Sequence, residues 1–208
     1  MIDWISQHSS FLQVLTSVAT LVIWIVYAQM LLAGFIRQRR PKVVINQVMG
    51  LSTRGRCLIS NMSAEHIHIE SAHVRLHSHE GVRRCTVSEI QREEDATTPT
   101  SIQGGTLQGP LSSGSYIDAG EIQHLVSRAR QAPIEDESTL CRDENAHYVL
   151  ELLVLYIYSS APGIMGASRQ FVFDDDGQAT PAHLETRQHR NRRERKRMSR
   201  LYRAYLDS

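Results

Sequence analysis

The chain has 208 residues, 41% hydrophobic and 22% charged, with a formal net charge of +1. With an apolar N-terminal segment set aside, about 165 residues remain, enough for one domain with a real core and too few for two large ones. The three cysteines, Cys57, Cys85 and Cys141, lie far apart without a CxxC, which argues against a zinc ribbon or a thioredoxin-type motif.

No Lys, Arg, Asp or Glu occurs from Trp4 to Ile36. The stretch Phe11–Ile36 is predicted to form a transmembrane helix about 39 Å long, at ~1.5 Å per residue, against a hydrocarbon core of about 30 Å. A secretory signal would carry a basic first region and a shorter apolar run. Residues 1–10, MIDWISQHSS, hold no Lys or Arg, so an uncleaved anchor with a short extracytoplasmic tail is expected. On the other flank, residues 37–42 form a basic juxtamembrane segment with Arg37, Arg39, Arg40 and Lys42. Basic residues stay on the cytoplasmic side. The reading is therefore a bacterial inner-membrane protein, N-terminus outside and main domain in the cytoplasm. Scattered thiols fit that reducing compartment, where the Asn61-Met-Ser63 sequon meets no glycosylation machinery. Gln13, Thr16, Ser17, Thr20, Trp24, Tyr27 and Gly34 fall on one helical stripe, with Gln29 opposite. Such a stripe suits a helix–helix contact, by self-association or with another membrane protein. The rival reading has the hydroxyls bonding their own backbone while Trp24 and Tyr27 sit in lipid.

Residues 43–180 are expected to form a soluble β-rich domain. Pro41 ends the first helix. Strands are predicted at Val43–Ile45, Cys57–Ser60, His66–His77, Cys85–Ile90, Tyr148–Tyr158 and Gln170–Phe173. Within His66–His77 the apolar parity changes before Val74, which predicts a bulge or bend. YVLELLVLYIY, residues 148–158, is apolar on both faces except at Glu151, as in a central buried strand. Ala161-Pro-Gly163 reads as the turn before the last strand. Gln91–Ser115 reads as a long loop, and residues 131–146 as another. Asp118-Ala-Gly-Glu121 resembles a capping box opening a helix to about Arg130, with Ile122, Leu125, Val126 and Ala129 on one face. There is no internal repeat. The fold class is mainly β with a few helices, built as an antiparallel sandwich. LISNMSAEHIHIESAHVRL reads as two strands joined at Asn-Met-Ser-Ala-Glu. Over about 20 residues that rhythm resembles Ig-like and related β-sandwich domains, and it implies no particular activity.

Residues 181–208 are expected to form a basic amphipathic helix starting near Thr186, with Met198, Leu201, Tyr202 and Tyr205 at helical spacing. From Arg187 to Arg203 there are nine Lys or Arg and one acid, Glu194, whereas residues 43–186 hold 10 basic and 19 acidic residues. An acidic body thus lies between two basic segments. Arg192, Arg193, Arg195, Lys196, Arg197 and Arg200, with the juxtamembrane cluster, are candidates for binding anionic lipid headgroups or an acidic partner. Docking on the chain's own body and binding of nucleic acid are the other readings.

Five of the ten histidines, His66, His68, His73, His77 and His79, fall close together. His66 and His68 share one strand face with Glu70 and are weak metal-ligand or pH-sensing candidates, against a solvated face with no third ligand fixed by spacing. Ser112, Ser113 and Ser115 near Gly114 form no G-x-S-x-G elbow. Gly104-Gly105 lacks a following GK[ST]. Asp174-Asp-Asp176-Gly177 lacks the distal Glu of an EF-hand. No enzyme signature, metal site or cofactor is implied. The expected role is a non-enzymatic accessory, scaffold or assembly subunit. The alternatives are a ligand-binding or sensor module on the histidine face and membrane-tethered nucleic-acid binding.

Overall fold

The computed structural model describes residues 9–38, 41–48, 55–87, 106–136, 148–174 and 177–206. The chain divides into two compact units, Met1–Arg40 and Pro41–Ser208. In the first, helix α1 spans Ser9–Gln38, two residues longer at each end than predicted. Its segment Gln13–Gly34 has a mean hydropathy of 1.9, is long and apolar enough to cross a membrane, and has none of its residues buried.

The second unit is mainly β. Its elements are β1 (Val43–Val48), β2 (Arg56–Asn61), β3 (Ile67–Ser78), β4 (Gly81–Thr86), β5 (Gly109–Leu111), β6 (Tyr116–Glu121), α2 (Ile122–Gln131), β7 (Ile134–Asp136), β8 (Tyr148–Tyr158), β9 (Ala161–Phe173), β10 (Ala179–Pro181), β11 (Arg187–His189) and α3 (Arg192–Leu206). Among the described residues they build two antiparallel sheets. One has the order β1-β2-β6. The other follows β10-β9-β8-β3-β4-β7, with β5 added to β3 and β11 to β9.

The core lies between the sheets. β8 has the predicted bounds and a central place. Its Leu150, Leu152, Val154, Tyr156 and Tyr158 belong to one buried cluster with Val43, Ile45, Cys57 and Ile59 of the smaller sheet. Ile122, Leu125, Val126 and Ala129 of α2 are buried in the same core, the face predicted for them. The parity change in β3 is also present. The β3–β8 register slips between Ile69 and Ser71, so Glu70 is the extra residue. Ile67 and Ile69 before it, and Ala72, Val74 and Leu76 after it, all reach one core. A bulge permits this because an added residue reverses which side chains point inward.

Several expectations are corrected. The Asp118–Glu121 capping box is absent: Asp118 lies in β6, where its Oδ2 accepts from Arg56 Nε at 2.6 Å and its Oδ1 from the Gly120 amide at 2.8 Å. The segment pairs with the open edge of β2, and α2 begins at Ile122 without a side-chain cap. Within the expected loop Gln91–Ser115, Gly109–Leu111 forms β5, because β4 covers only His73–Ser78 of β3 and leaves the backbone of Ile67–Ile69 to be paired. Within the expected loop at residues 131–146, Ile134–Asp136 adds to β4 as β7. The strand predicted at Cys85–Ile90 runs instead over Gly81–Thr86, and residues 88–90 lie outside the described residues. The last long strand begins at Ala161, nine residues before Gln170. The turn is at Ser159–Ser160, and Pro162 and Gly163 occupy a bulged strand start, with Gly163 at φ 86°. Finally, the basic helix starts at Arg192 rather than near Thr186, because Arg187–His189 pairs with β9.

That last departure protects an edge. The Ile45 amide donates to Thr186 Oγ1 at 2.9 Å, the Val43 amide donates to Gln188 Oε1 at 3.3 Å, and Arg169 Nη1 donates to Ile45 O at 2.7 Å. Side chains from the β11 segment and from β9 thus complete the backbone bonding of edge strand β1, which would otherwise offer itself to another chain.

Candidate functional site

The outer face of the larger sheet is partly covered by α3. At the helix start Glu194 Oε2 accepts from the Asn191 amide at 3.3 Å, the reaching-back arm of a capping box. The Asn-x-x-Glu spacing could have revealed this start. Met198 is buried with Leu153 and Leu155 of β8, and Leu201, Tyr202 and Ile164 pack around them. Gly166 allows the close approach, since a Cβ there would sit 2.8 Å from Met198 Sδ. Tyr202 Oη donates to Glu70 Oε2 at 2.7 Å, Arg195 Nη1 donates to Pro162 O at 2.9 Å, and the Tyr205 ring stands edge-on to His73 at 5.5 Å. The apolar stripe of the basic helix is therefore docked on the chain's own sheet.

The opposite side of α3 is basic. Arg192, Arg193, Lys196, Arg197 and Arg200 are exposed, and Arg195 is half-buried. Arg192, Arg195, Lys196, Arg200 and Arg203 line one groove beside Pro162-Gly163. Of the juxtamembrane candidates, Arg37 belongs to α1 and Lys42 is exposed at the start of the β domain, while Arg39 and Arg40 lie outside the described residues.

Under and beside α3 sit two polar groups. Ser168 Oγ lies 2.9 Å from His189 Nε2, and His189 Nδ1 lies 3.5 Å from Glu194 Oε1. The order Ser–His–Glu has the pattern of a nucleophile, base and orienting acid. Ser168 is only 3% exposed, and the group ties β9, β11 and α3 together. The second group centres on Glu151, the one charge noticed in the β8 sequence. Arg75 Nη1 is 3.3 Å from its Oε2 and His77 Nε2 is 3.9 Å away. Burial pushes the Glu151 carboxyl up, but bonding to His77, the charge of Arg75 and bonding to Ser168 outweigh it and hold the group at about 2.

Beside this group, between β3–β4 and the end of α3, is a cleft of about 300 Å³ lined by His73, Arg75, Arg84, Thr86, Leu201 and Tyr205, among others. His73 Nε2 is 2.9 Å from Ser71 Oγ and its Nδ1 is 3.2 Å from Thr86 Oγ1. Burial, with the charges of Arg84 and Arg75, pushes this imidazole down to about 4, so it is neutral at pH 7. Sequence reading missed the cleft because its residues come from β3, β4, β8 and α3.

The five histidines are thereby separated. His66 and His79 are exposed, His73 is buried, and His77 turns to Glu151. His68 is exposed, with Nε2 4.0 Å from Glu70 Oε1. Among the described residues no group of three or more His, Cys, Asp or Glu is placed to hold a metal. In α1, Gln13, Thr16, Ser17, Thr20 and Trp24 do line one shallow groove. Ser17 Oγ donates to Gln13 O at 2.9 Å and Thr20 Oγ1 to Thr16 O at 2.8 Å, and Tyr27 stands edge-on to Trp24 at 6.2 Å. Those two hydroxyls are satisfied within the helix.

Other sequence candidates have structural places. Asn61 of the sequon is fully buried, and its Nδ2 donates to Glu65 O at 2.9 Å and to Leu111 O at 3.0 Å. Ser113 Oγ donates to Ser63 O at 2.6 Å. Burial, with the nearby Asp118 charge, pushes the Cys57 thiol up to about 12, which makes it a poor nucleophile at neutral pH. Cys141, Gly104-Gly105 and Asp175-Asp176 lie outside the described residues. Comparison of the chain with protein-family models, with curated proteins and with solved structures finds no match.

Proposed function

We propose that the chain is a single-pass protein of a bacterial inner membrane, N-terminus outside, whose β domain serves on the cytoplasmic side as a non-enzymatic accessory or scaffold subunit. The observation that carries this reading is the apolar segment Gln13–Gly34, none of which is buried. At ~1.5 Å per residue its 22 residues reach about 33 Å, a match to a hydrocarbon core of about 30 Å. The orientation rests on the cluster Arg37, Arg39, Arg40 and Lys42 at the end of the span.

The basic side of α3 is the surface through which the domain meets anionic headgroups or an acidic partner, and a tethered domain meets a membrane at high effective concentration. The accessory role is supported by the chemistry of the strongest catalytic look-alikes: Ser168 is covered and the Cys57 thiol is held protonated. An Ig-like arrangement of the sandwich would suit a domain whose business is contact.

Crosslinking in intact membranes tests the reading. Expected is capture of a defined membrane neighbour or a second copy, with part of the pattern lost in an Arg192→Glu/Lys196→Glu/Arg200→Glu variant. A strictly monomeric chain that captures nothing would remove the basis for an accessory role. RNA binding that weakens steeply with salt and vanishes in the same variant would favour nucleic-acid binding instead.

A further inference from the structure

We propose that the cleft between β3–β4 and the end of α3 binds a small organic anion, its carboxylate or phosphate group held by Arg75 and Arg84 and its apolar body resting on Leu201 and Tyr205. Arg75 and Arg84 are directly opposite one another in the antiparallel register, a placement that disfavours strand pairing when both residues carry the same charge. Both arginines line the cleft, and none of the described residues lining it is Asp or Glu. Glu151 answers Arg75 from the neighbouring strand β8. Arg75 Nε is nevertheless buried without a hydrogen bond among the described residues, so Glu151 does not satisfy every donor of this guanidinium.

The planar guanidinium fork matches a carboxylate or phosphate. Thr86 adds a hydroxyl, and His73 is a neutral polar wall at pH 7. The volume, about 300 Å³, is at the small end of ligand sites. Leu201 and Tyr205 belong to α3, so a bound anion bridges helix and sheet and stabilises the docked helix.

The test uses the full chain in uncharged detergent, with phenyl phosphate as probe and benzyl alcohol as neutral control, read by titration calorimetry. Expected is saturable binding of the probe at one site and none of the alcohol. Arg84→Gln should weaken it at least about tenfold, equivalent to about 1.4 kcal/mol. Arg84→Lys should fall between, keeping the charge and losing the fork. An Arg192→Gln/Lys196→Gln/Arg200→Gln variant should bind normally, which separates the cleft from the basic side of α3. Circular dichroism checks folding, and Thr86→Val with Tyr205→Leu reads the same site if Arg84→Gln does not fold. In phosphatidylcholine nanodiscs containing phosphatidic acid, an Arg84-dependent loss of probe affinity assigns the anionic group to a lipid headgroup, and unchanged affinity assigns it to a soluble molecule. No saturable binding by the unaltered chain, or binding as weakened by the α3 variant as by Arg84→Gln, overturns the proposal.

Discussion

Glu151 shows how far a single residue can be read from sequence. It is the only charge among the apolar residues of Tyr148–Tyr158, and no local pattern names its partner. Arg75 lies opposite it only because the bulge at Glu70 resets the β3–β8 register. The structure turns this contact into a pH prediction. The Glu151 carboxyl is held at about 2 against an ordinary 4.5. Its contribution is whole above pH 4.5 and is lost as pH falls toward 2, on the order of 3 kcal/mol. His73 acts over a higher window. Its imidazole is pushed from 6.5 to about 4, so the unfolded chain takes up the proton first and stability declines from pH 6.5 toward 4. Chemical denaturation of the chain across pH 2–7 should show both declines. Glu151→Gln should flatten the lower one and His73→Asn the upper one. Unchanged profiles in the two variants would contradict these assignments.

At the scale of elements, legibility followed periodicity and failed where pairing decided the outcome. The apolar face of α2 and the bounds of β8 were legible because each pattern is local and strong. The start of α2 was not: Asp118 and Glu121 have capping spacing, yet the backbone around them pairs with β2. β5, β7 and β11 are each three residues long, too short to show alternation, and exist because longer neighbours leave an edge to be paired. The docking of α3 carries its own prediction. Met198 is 3% exposed and fills the space left by Gly166. Met198→Ala should destabilise the docked helix by about 2–5 kcal/mol, and amide exchange should rise over Arg192–Leu206 while β8 stays protected. Uniform protection in the variant would show that other contacts hold the helix.

For the whole molecule, composition and charge located the parts better than they described them. The apolar span and the basic ends follow from the order of residues alone. The grouping of strands into two sheets depends on long-range pairing, and so does the cleft, whose Arg75 and Arg84 read in sequence as two unremarkable charges. Its lining comes from both a sheet and the helix docked on it, so no local window contains it. The same long-range pairing buries Ser168 and sets its hydroxyl against His189, which no local window shows. The proposed function rests on α1 being a membrane anchor. Its most direct test is carbonate extraction of membranes from cells that make the full chain. The account predicts that the chain stays in the pellet at alkaline pH and is released only by detergent. Release into the carbonate supernatant would contradict it.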